Sequence, residues 1–304
     1  MPNDMKRVLV SGGAGFIGSH LVEALLSRGY SVNVLDDLSS GHAEWVHRAA
    51  SVHFGSILNT DDCRSAMLGC AGVFHLAAQS RSLPSVDDPM TSTRVNVLGT
   101  QTVLNAAVSA GVKKLVYAGS STYYGNQKSP HVETMRGSFL NTYGLSKYVG
   151  EELCLLYSRL YGLPCNVMRF FNVYGPRQPE TGEYALVLGK FLERAKANLP
   201  LEIHGTGAQR RDFIHVEDVC RALIIAYETP LSGRIWNVGS GVSTSIQELA
   251  DMISPLQVYG PARIADADET LADIRSIQKD IGWHPLRELT SQYGRLPNQN
   301  THSF

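Results

Sequence analysis

Lys6-Arg7-Val8-Leu9-Val10-Ser11-Gly12-Gly13-Ala14-Gly15-Phe16-Ile17-Gly18-Ser19-His20 decides the fold of this chain. Residues 6–10 make a short apolar strand. Glycines follow at 12, 15 and 18, and an amphipathic helical pattern continues through about Arg28. Strand, glycine turn and helix in that order are the context in which such a fingerprint binds a dinucleotide. Glycine permits the tight turn, lets a pyrophosphate approach the backbone, and lets the helix pack close against the strand. The helix N-terminus then presents N–H groups to the phosphates. A glycine-rich turn without a ligand is the competing reading, and the flanking elements weigh against it.

The segments that follow repeat the alternation. Residues 31–35 form a second strand ending in Asp36-Asp37, 51–54 a third, and Val73-Phe74-His75-Leu76 a fourth that enters Ala77-Ala78. An acid at the end of the second strand accepts hydrogen bonds from an adenosine ribose. Two acids with no arginine immediately after would repel a 2′-phosphate, which favours NAD over NADP. Taken alone, a capping Asp at a strand end is the commoner situation. Ala77 and Ala78 are small enough for a flat cofactor to lie close. His75 reads as a packing histidine, with no Ser or Asp pattern around it. Residues 84–110 read as one long helix containing Asn96; a mid-helix Asn is usually solvated, and a buried one needs a partner. A fifth strand, 113–118, ends in Gly119-Ser120-Ser121-Thr122-Tyr123-Tyr124-Gly125. That hydroxyl cluster stands at the carboxyl end of a strand, where open α/β sheets place ligands; a plain serine-rich loop is the alternative. Repeated strand–helix alternation predicts an α/β, doubly wound parallel sheet of Rossmann type.

The stretch with reactive chemistry is Asn141-Thr142-Tyr143-Gly144-Leu145-Ser146-Lys147, followed by the apolar-periodic Tyr148, Val149, Leu153, Leu155, Leu156 and Leu160. The pattern predicts a helix capped by Asn141 or Thr142. Residues four apart share a face, so the Lys147 ammonium can lie near the Tyr143 phenol. Ionising a Tyr at neutral pH needs a shift of roughly 3 units, about 4 kcal/mol. A Lys charge at about 6 Å and an effective dielectric of ~20 supplies roughly 3 kcal/mol. A second positive group is needed, and an oxidised nicotinamide ring would be one. Tyr-x-x-x-Lys also occurs by chance on solvated helix faces, so the rest of the chain carries the weight.

Composition bounds the possibilities. The 304 residues accommodate one large α/β domain or two smaller ones. A net charge of −1 argues for neither a nucleic-acid nor a membrane surface. No apolar run approaches the ~18 residues of a membrane span, and residues 1–7 lack the apolar core of a signal peptide; a cytoplasmic protein is expected. The five cysteines are odd in number, scattered and without a Cys-x-x-Cys pair. Free thiols in a reducing compartment, and no metal site, are expected.

Further stretches complete the pattern: Asn96-Val97-Leu98-Gly99-Thr100, Arg169-Phe170-Phe171-Asn172-Val173-Tyr174-Gly175-Pro176-Arg177-Gln178, Arg211-Asp212-Phe213-Ile214-His215-Val216-Glu217-Asp218-Val219, Asn237-Val238-Gly239-Ser240-Gly241 and Gly282-Trp283-His284-Pro285. With residues 12–20, 35–42, 75–78, 120–125 and 143–147, they run in order over nearly the whole chain. In this the chain resembles the extended short-chain dehydrogenase/reductase family, in particular its nucleotide-sugar 4-epimerases.

The resemblance implies a tightly held NAD and a UDP-linked hexose. Cofactor contacts would come from Gly12, Gly15, Phe16, Ile17, Gly18, Asp36, Asp37, Ser39, Ser56, Ile57, Leu76, Ala77, Ala78 and Asn96, with Tyr143 and Lys147. Ser56 stands where the family usually has an Asp for the adenine amine. Tyr143 would take the proton of the sugar 4-hydroxyl while the C4 hydride passes to NAD. The 4-keto sugar would turn in the pocket and receive the hydride on its other face. Lys147 would hold the nicotinamide ribose, and Ser120 the 4-oxygen, with Thr122 as a second hydroxyl. Substrate contacts would come from Arg81, Thr122, Asn172, Leu186, Val187, Lys190, Phe191 and His204. Arg211 and Arg263 would clamp the diphosphate, Asp266 a ribose hydroxyl, and Thr270 would border an N-acetyl group. Arg211 is preferred to Arg210 because it precedes Asp212-Phe213-Ile214. Tyr123 replaces a small aliphatic residue and is expected to crowd the pocket. The NAD-binding half would span 1–171 and about 212–238, the substrate half 172–211 and 239–304. A homodimer through the helices of 84–110 and 143–161 is expected, and a frayed tail at 297–304.

Within the family, dehydratases and decarboxylases have a carboxylic acid beside the Ser/Thr, where this chain has Ser121 and Thr122. Uronate 4-epimerases tend to have Thr at the Asn172 position and Arg at that of Pro179, so a neutral hexose is favoured. Thr270 is small, and both plain and N-acetylated sugars should fit. A 4-keto-sugar reductase or a 2- or 3,5-epimerase is an enzymatic alternative. A non-catalytic dinucleotide sensor is a second, against which stands the presence of both Tyr143 and Lys147.

Overall fold

Val8 and Val10 pack into one apolar cluster and Leu9 into another, because alternate residues of a strand face opposite sides of its sheet. Both sides are covered, which is why this strand reads as a continuous apolar run. The computed structural model describes residues 7–80, 82–182, 185–262 and 267–293. Arg81, Arg263, Asp266 and the tail 297–304 lie outside the described residues.

The main sheet contains β1 (Arg7–Ser11), β2 (Ser31–Asp36), β3 (Ser51–Phe54), β4 (Gly72–His75), β5 (Lys114–Ser120), β6 (Cys165–Phe170) and β10 (Arg234–Val238). Its order is β10-β6-β5-β4-β1-β2-β3 and every pairing is parallel. On one face lie α1 (Phe16–Ser27) and α8 (Val216–Glu228), contributing Leu21, Val22, Leu25, Val219 and Leu223. On the other lie α2 (Thr60–Ala66), α5 (Thr100–Ser109) and α6 (Thr142–Tyr161), with Cys63, Leu104, Cys154 and Tyr157. This is the doubly wound α/β architecture expected. The strand order reverses between β1 and β4, so a crevice opens there at the carboxyl ends.

The long helix expected over 84–110 is built in pieces. It divides into α3 (Ser82–Asp87), α4 (Pro89–Thr93), a π-helical segment (Arg94–Gly99) and α5. Asp88 precedes a proline and leaves the helical region, as such residues do, and its carboxylate caps α4 by accepting from Thr91 N at 2.9 Å.

The second half has a three-stranded sheet, β11 (Ser243–Ser245), β9 (Arg210–His215) and β7 (Asn172–Tyr174), and a pair, β12 (Gln257–Gly260) and β8 (Leu201–His204). Their core, with Tyr174, Leu188, Phe191, Phe213 and Leu249, includes α7 (Val187–Lys196) and α9 (Ile246–Ile253). β9 lies wholly in this smaller sheet, so the chain rejoins the first half at α8. The segment 239–304, expected in the second half, also returns: Ile277 of α10 (Arg275–Ile281) and Trp283 are fully buried in the main core. Trp283 Nε1 donates to Asp218 O at 3.1 Å. No described helix is long and apolar enough to cross a membrane. All five cysteines are buried free thiols, and no cluster of metal-ligating side chains occurs among the described residues.

Candidate active site

A crevice of about 1480 Å³ runs from the glycine turn, past the carboxyl ends of β4 and β5, to the second half. At its first end Gly12 has φ +74 and donates to Leu35 O at 2.8 Å. A Cβ on Gly12 would lie 2.7 Å from Ala77 N, and one on Gly18 2.0 Å from Gly12 O. Both positions therefore require glycine, one for φ and close approach, the other for packing. Gly15 caps α1 without a side-chain hydrogen bond. The first N–H groups of α1, at Phe16, Ile17 and Gly18, so receive no capping side chain from Gly15, in a segment that lines the crevice. A backbone cradle of this kind fits a pyrophosphate.

The two acids differ in role. Asp36 is buried and accepts from Ala14 N and Leu38 N, both at 2.9 Å, bracing the turn. Burial raises its pKa, and the two backbone bonds oppose the rise. Asp37 is exposed and accepts from the backbone N and hydroxyl of Ser39. Both acids and Ser39 line the crevice.

Leu76, Ala77 and Ala78 form its floor, and Ile57 borders it. His75, beneath the floor, is fully buried, and hydroxyl partners that sequence reasoning had not seen surround it. Its Nδ1 lies 2.7 Å from Ser11 Oγ and its Nε2 3.0 Å from Thr100 Oγ1. Thr100 donates to Asn96 O, so its oxygen accepts from Nε2–H and Nδ1 accepts from Ser11. Burial, with the Lys147 charge nearby, pushes His75 down to about 3, so the imidazole is neutral.

Two residues expected at the cofactor lie off the lining of the crevice. Asn96 is 1% exposed and does not line the crevice. Its Oδ1 accepts from Gln79 N at 2.8 Å, and its Nδ2 donates to Gln79 O and Ser146 Oγ. It thus ties the floor to α6. Ser56 is also off the lining: its N donates to Asp62 and its hydroxyl accepts from Leu58 N.

Ser120, Ser121, Thr122, Tyr143 and Lys147 line the middle of the crevice. Ser120 Oγ and Thr122 Oγ1 are 2.8 Å apart. Asn141 caps α6 by accepting from Gly144 N at 2.9 Å, and Tyr143 N donates to Ser85 Oγ at 3.0 Å. Lys147 is 4% exposed, with Nζ 4.2 Å from the centre of the Tyr117 ring. Burial pushes its pKa down to about 7, against Cys154 and Glu151, which raise it. Tyr123 does not crowd the site. It lies off the lining, 3.8 Å from the Arg169 guanidinium and packed on Phe139 and Tyr148, with its hydroxyl donating to Met135 O.

From the second half, Asn172, Leu186, Val187, Lys190, Phe191, His204, Arg211 and Thr270 line the crevice. Asn172 Nδ2 donates to Asp212 O and Thr270 Oγ1, both at 3.2 Å. The arginine doublet is resolved: Arg210 is held by Ser243, Glu248 and Glu269, off the lining, whereas Arg211 faces the crevice. Sequence reasoning missed Gln79, His42, Trp45, Arg177, Gln178 and Gln209, which also line it. Gln79 Oε1 and Gln209 Oε1 are buried with no hydrogen-bond partner among the described residues. His42, Arg177 and Gln178 sat inside the stretches that carry the resemblance; Gln79, Trp45 and Gln209 carried no signal.

A model described as the NAD dependent epimerase/dehydratase family matches residues 8–239. The chain is 35% identical over 300 residues to a putative UDP-glucose 4-epimerase of Methanocaldococcus jannaschii, covering 96% of this chain and 97% of the relative. It is similar, at a TM-score of 0.90 and 34% identity, to the crystal structure of UDP-glucose 4-epimerase with UDP-glucose from Thermotoga maritima, over 93% of this chain and 94% of that one. A UDP-N-acetylglucosamine 4-epimerase from Methanobrevibacter ruminantium, in complex with UDP-N-acetylmuramic acid, gives a TM-score of 0.90 at 30% identity over 95% and 96%.

Proposed function

Because the chain belongs to the NAD dependent epimerase/dehydratase family, we propose that it inverts C4 of a UDP-linked hexose through a 4-keto intermediate. One observation carries this reading. Tyr143 and Lys147, on one helical turn, and the hydroxyl pair Ser120–Thr122 line the same crevice that runs from an uncapped glycine turn to Arg211.

NAD, when bound, would supply a hydride acceptor and donor for C4. The glycine turn and the start of α1 would hold its pyrophosphate, Asp37 and Ser39 its ribose, and Ala77 and Ala78 would lie beneath it. Tyr143 removes the proton of the 4-hydroxyl and gives it back. Lys147 stabilises the phenolate. In the Ser120–Thr122 pair one hydroxyl donates to the other, which leaves one O–H to hold the sugar 4-oxygen. Neither Ser121 nor Thr122 is an acid, which disfavours elimination of water or carbon dioxide.

Arg211 offers a planar fork to the diphosphate. Asn172 has committed its Nδ2, which leaves Oδ1 as an acceptor suited to a sugar hydroxyl rather than to a phosphate. Similar structures hold UDP-glucose in one case and UDP-N-acetylmuramic acid in another, which supports a UDP-linked substrate. Thr270 is small and lines the crevice, so plain and N-acetylated hexoses both fit this reading. Val86, Met90, Leu98, Leu145, Leu156, Leu160 and Tyr161 are exposed apolar residues of the helices between 82 and 161, and we infer a homodimer through that face.

The test is incubation with UDP-glucose, UDP-galactose and their N-acetyl counterparts without added cofactor, with products resolved by NMR. Interconversion of C4 epimers is expected. No conversion of any of the four would sink the proposal; consumption that depends on added NAD(P)H would point to a reductase.

A further inference from the structure

The mouth of the crevice beside the glycine turn is bridged by a residue that belongs to neither the turn nor the reacting centre. Arg177 follows β7 in the second half, with its backbone at φ +63, where non-glycine residues are uncommon. From there its guanidinium crosses to the first half. Nη2 donates to Glu23 Oε2 at 2.6 Å and lies 3.4 Å from His20 Nδ1; Nη1 donates to Trp45 O at 3.4 Å. His20 Nε2 completes the bridge by donating to Pro176 O at 2.8 Å. An arginine cannot accept a proton bond, so His20 accepts through Nδ1 and donates through Nε2. Glu23 and His20 sit on α1, whose first turn faces the crevice. Trp45 lies beyond the loop that follows Asp36-Asp37, with the His42 ring 4.0 Å away. Arg177, Gln178, His42, Trp45 and Phe16 all line the crevice.

We propose that Arg177, with Glu23 and His20, is a latch that joins the two halves across the adenosine-diphosphate end of the crevice and sets how slowly bound NAD leaves. This rests on the NAD-dependent reading above. A dinucleotide lost between the two hydride transfers would carry the hydride away and strand a 4-keto sugar, so slow exchange serves the reaction directly. Glu23 neutralises the guanidinium, which suits a strap between protein elements better than a phosphate clamp.

The test uses the full chain and a fluorescent etheno-adenine analogue of NAD, with which bound NAD is exchanged over time. Glu23→Gln and Arg177→Gln should each exchange about ten-fold faster or more, the scale of a charge-assisted hydrogen bond. The charge swap Glu23→Arg with Arg177→Glu should restore slow exchange. Melting of the cofactor-stripped proteins is followed in parallel; faster exchange that merely tracks loss of folding, and is not rescued by the swap, overturns the latch. So does exchange at the wild-type rate in both single variants. Fast exchange in Arg177→Gln but not Glu23→Gln overturns it in favour of direct phosphate contact. A wild-type protein that neither carries nor binds the dinucleotide would overturn the proposed function as well; one that carries it while the variants exchange no faster overturns the latch alone.

Discussion

In the proposed reaction Tyr143 and Lys147 divide the work of one proton transfer, and Lys147 does so from a buried position. Tyr143→Phe removes the only atom of that side chain that can move a proton. Turnover is expected to fall by about two to four powers of ten, the share of general acid–base catalysis, with the fold retained; near-normal turnover would rule Tyr143 out as the base. Lys147 has its pKa pushed down to about 7, chiefly by burial, so near neutral pH the ammonium is close to losing its proton unless a partner holds it. The sign for stability follows. Between about pH 7 and 10 the unfolded chain binds the Lys147 proton and the folded chain does not, so this group makes stability rise with pH in that window. Lys147→Met, which cannot titrate, should gain relative to the wild type as pH falls from about 10 to 7, by on the order of 4 kcal/mol, and level off below. Urea unfolding of the cofactor-stripped proteins from pH 6 to 10 measures it; a difference that stays flat with pH would mean the folded ammonium keeps an ordinary pKa.

Helix α6 is held by more than its own hydrogen bonds. Two turns after Tyr143, Glu151 receives Arg169 of β6 through Nε at 3.0 Å and Nη2 at 2.6 Å, with both side chains almost fully buried. Arg169 also donates to Tyr124 OH at 2.9 Å, which in turn donates to Asn237 of β10 at 2.7 Å. The hydroxyl-bearing loop, the reactive helix and two strands are thereby registered to one another. Glu151→Gln leaves the guanidinium buried without its counter-charge and should destabilise by about 3–5 kcal/mol. Urea unfolding reads the loss; a value under about 1 kcal/mol would show that the pair does not anchor the helix. Asn96 performs a similar task from the π-helical segment, joining the backbone of Gln79 to Ser146.

At the scale of the whole molecule, the crevice exists because two cores meet at the carboxyl ends of a sheet, and the same meeting leaves apolar helix faces outside. Leu98, Leu145, Leu160 and Tyr161 are 45–64% exposed on the helices between 82 and 161, the face through which the dimer is inferred. Light scattering at assay concentration should return twice the chain mass of 33.2 kDa, and Leu160→Glu should shift it toward one chain. A wild-type mass of one chain would defeat the inferred dimer.

What was legible in the sequence was what a few consecutive residues dictate. The glycine turn followed from spacing and sterics, the parallel sheet from apolar strands alternating with amphipathic helices, and the placement of Tyr143 and Lys147 on one helix from helical periodicity. What only the tertiary structure decided depends on neighbours far along the chain. Asp36 rather than Asp37 braces the turn because Ala14 N approaches it; Arg211 rather than Arg210 faces the crevice because Glu248 and Glu269 engage the other. Asn96 and Tyr123 turn inward because Gln79, Ser146 and Arg169 are there to meet them. Local sterics act within a turn or a strand, whereas burial and electrostatics are set by whichever groups folding brings near, and no short stretch contains those.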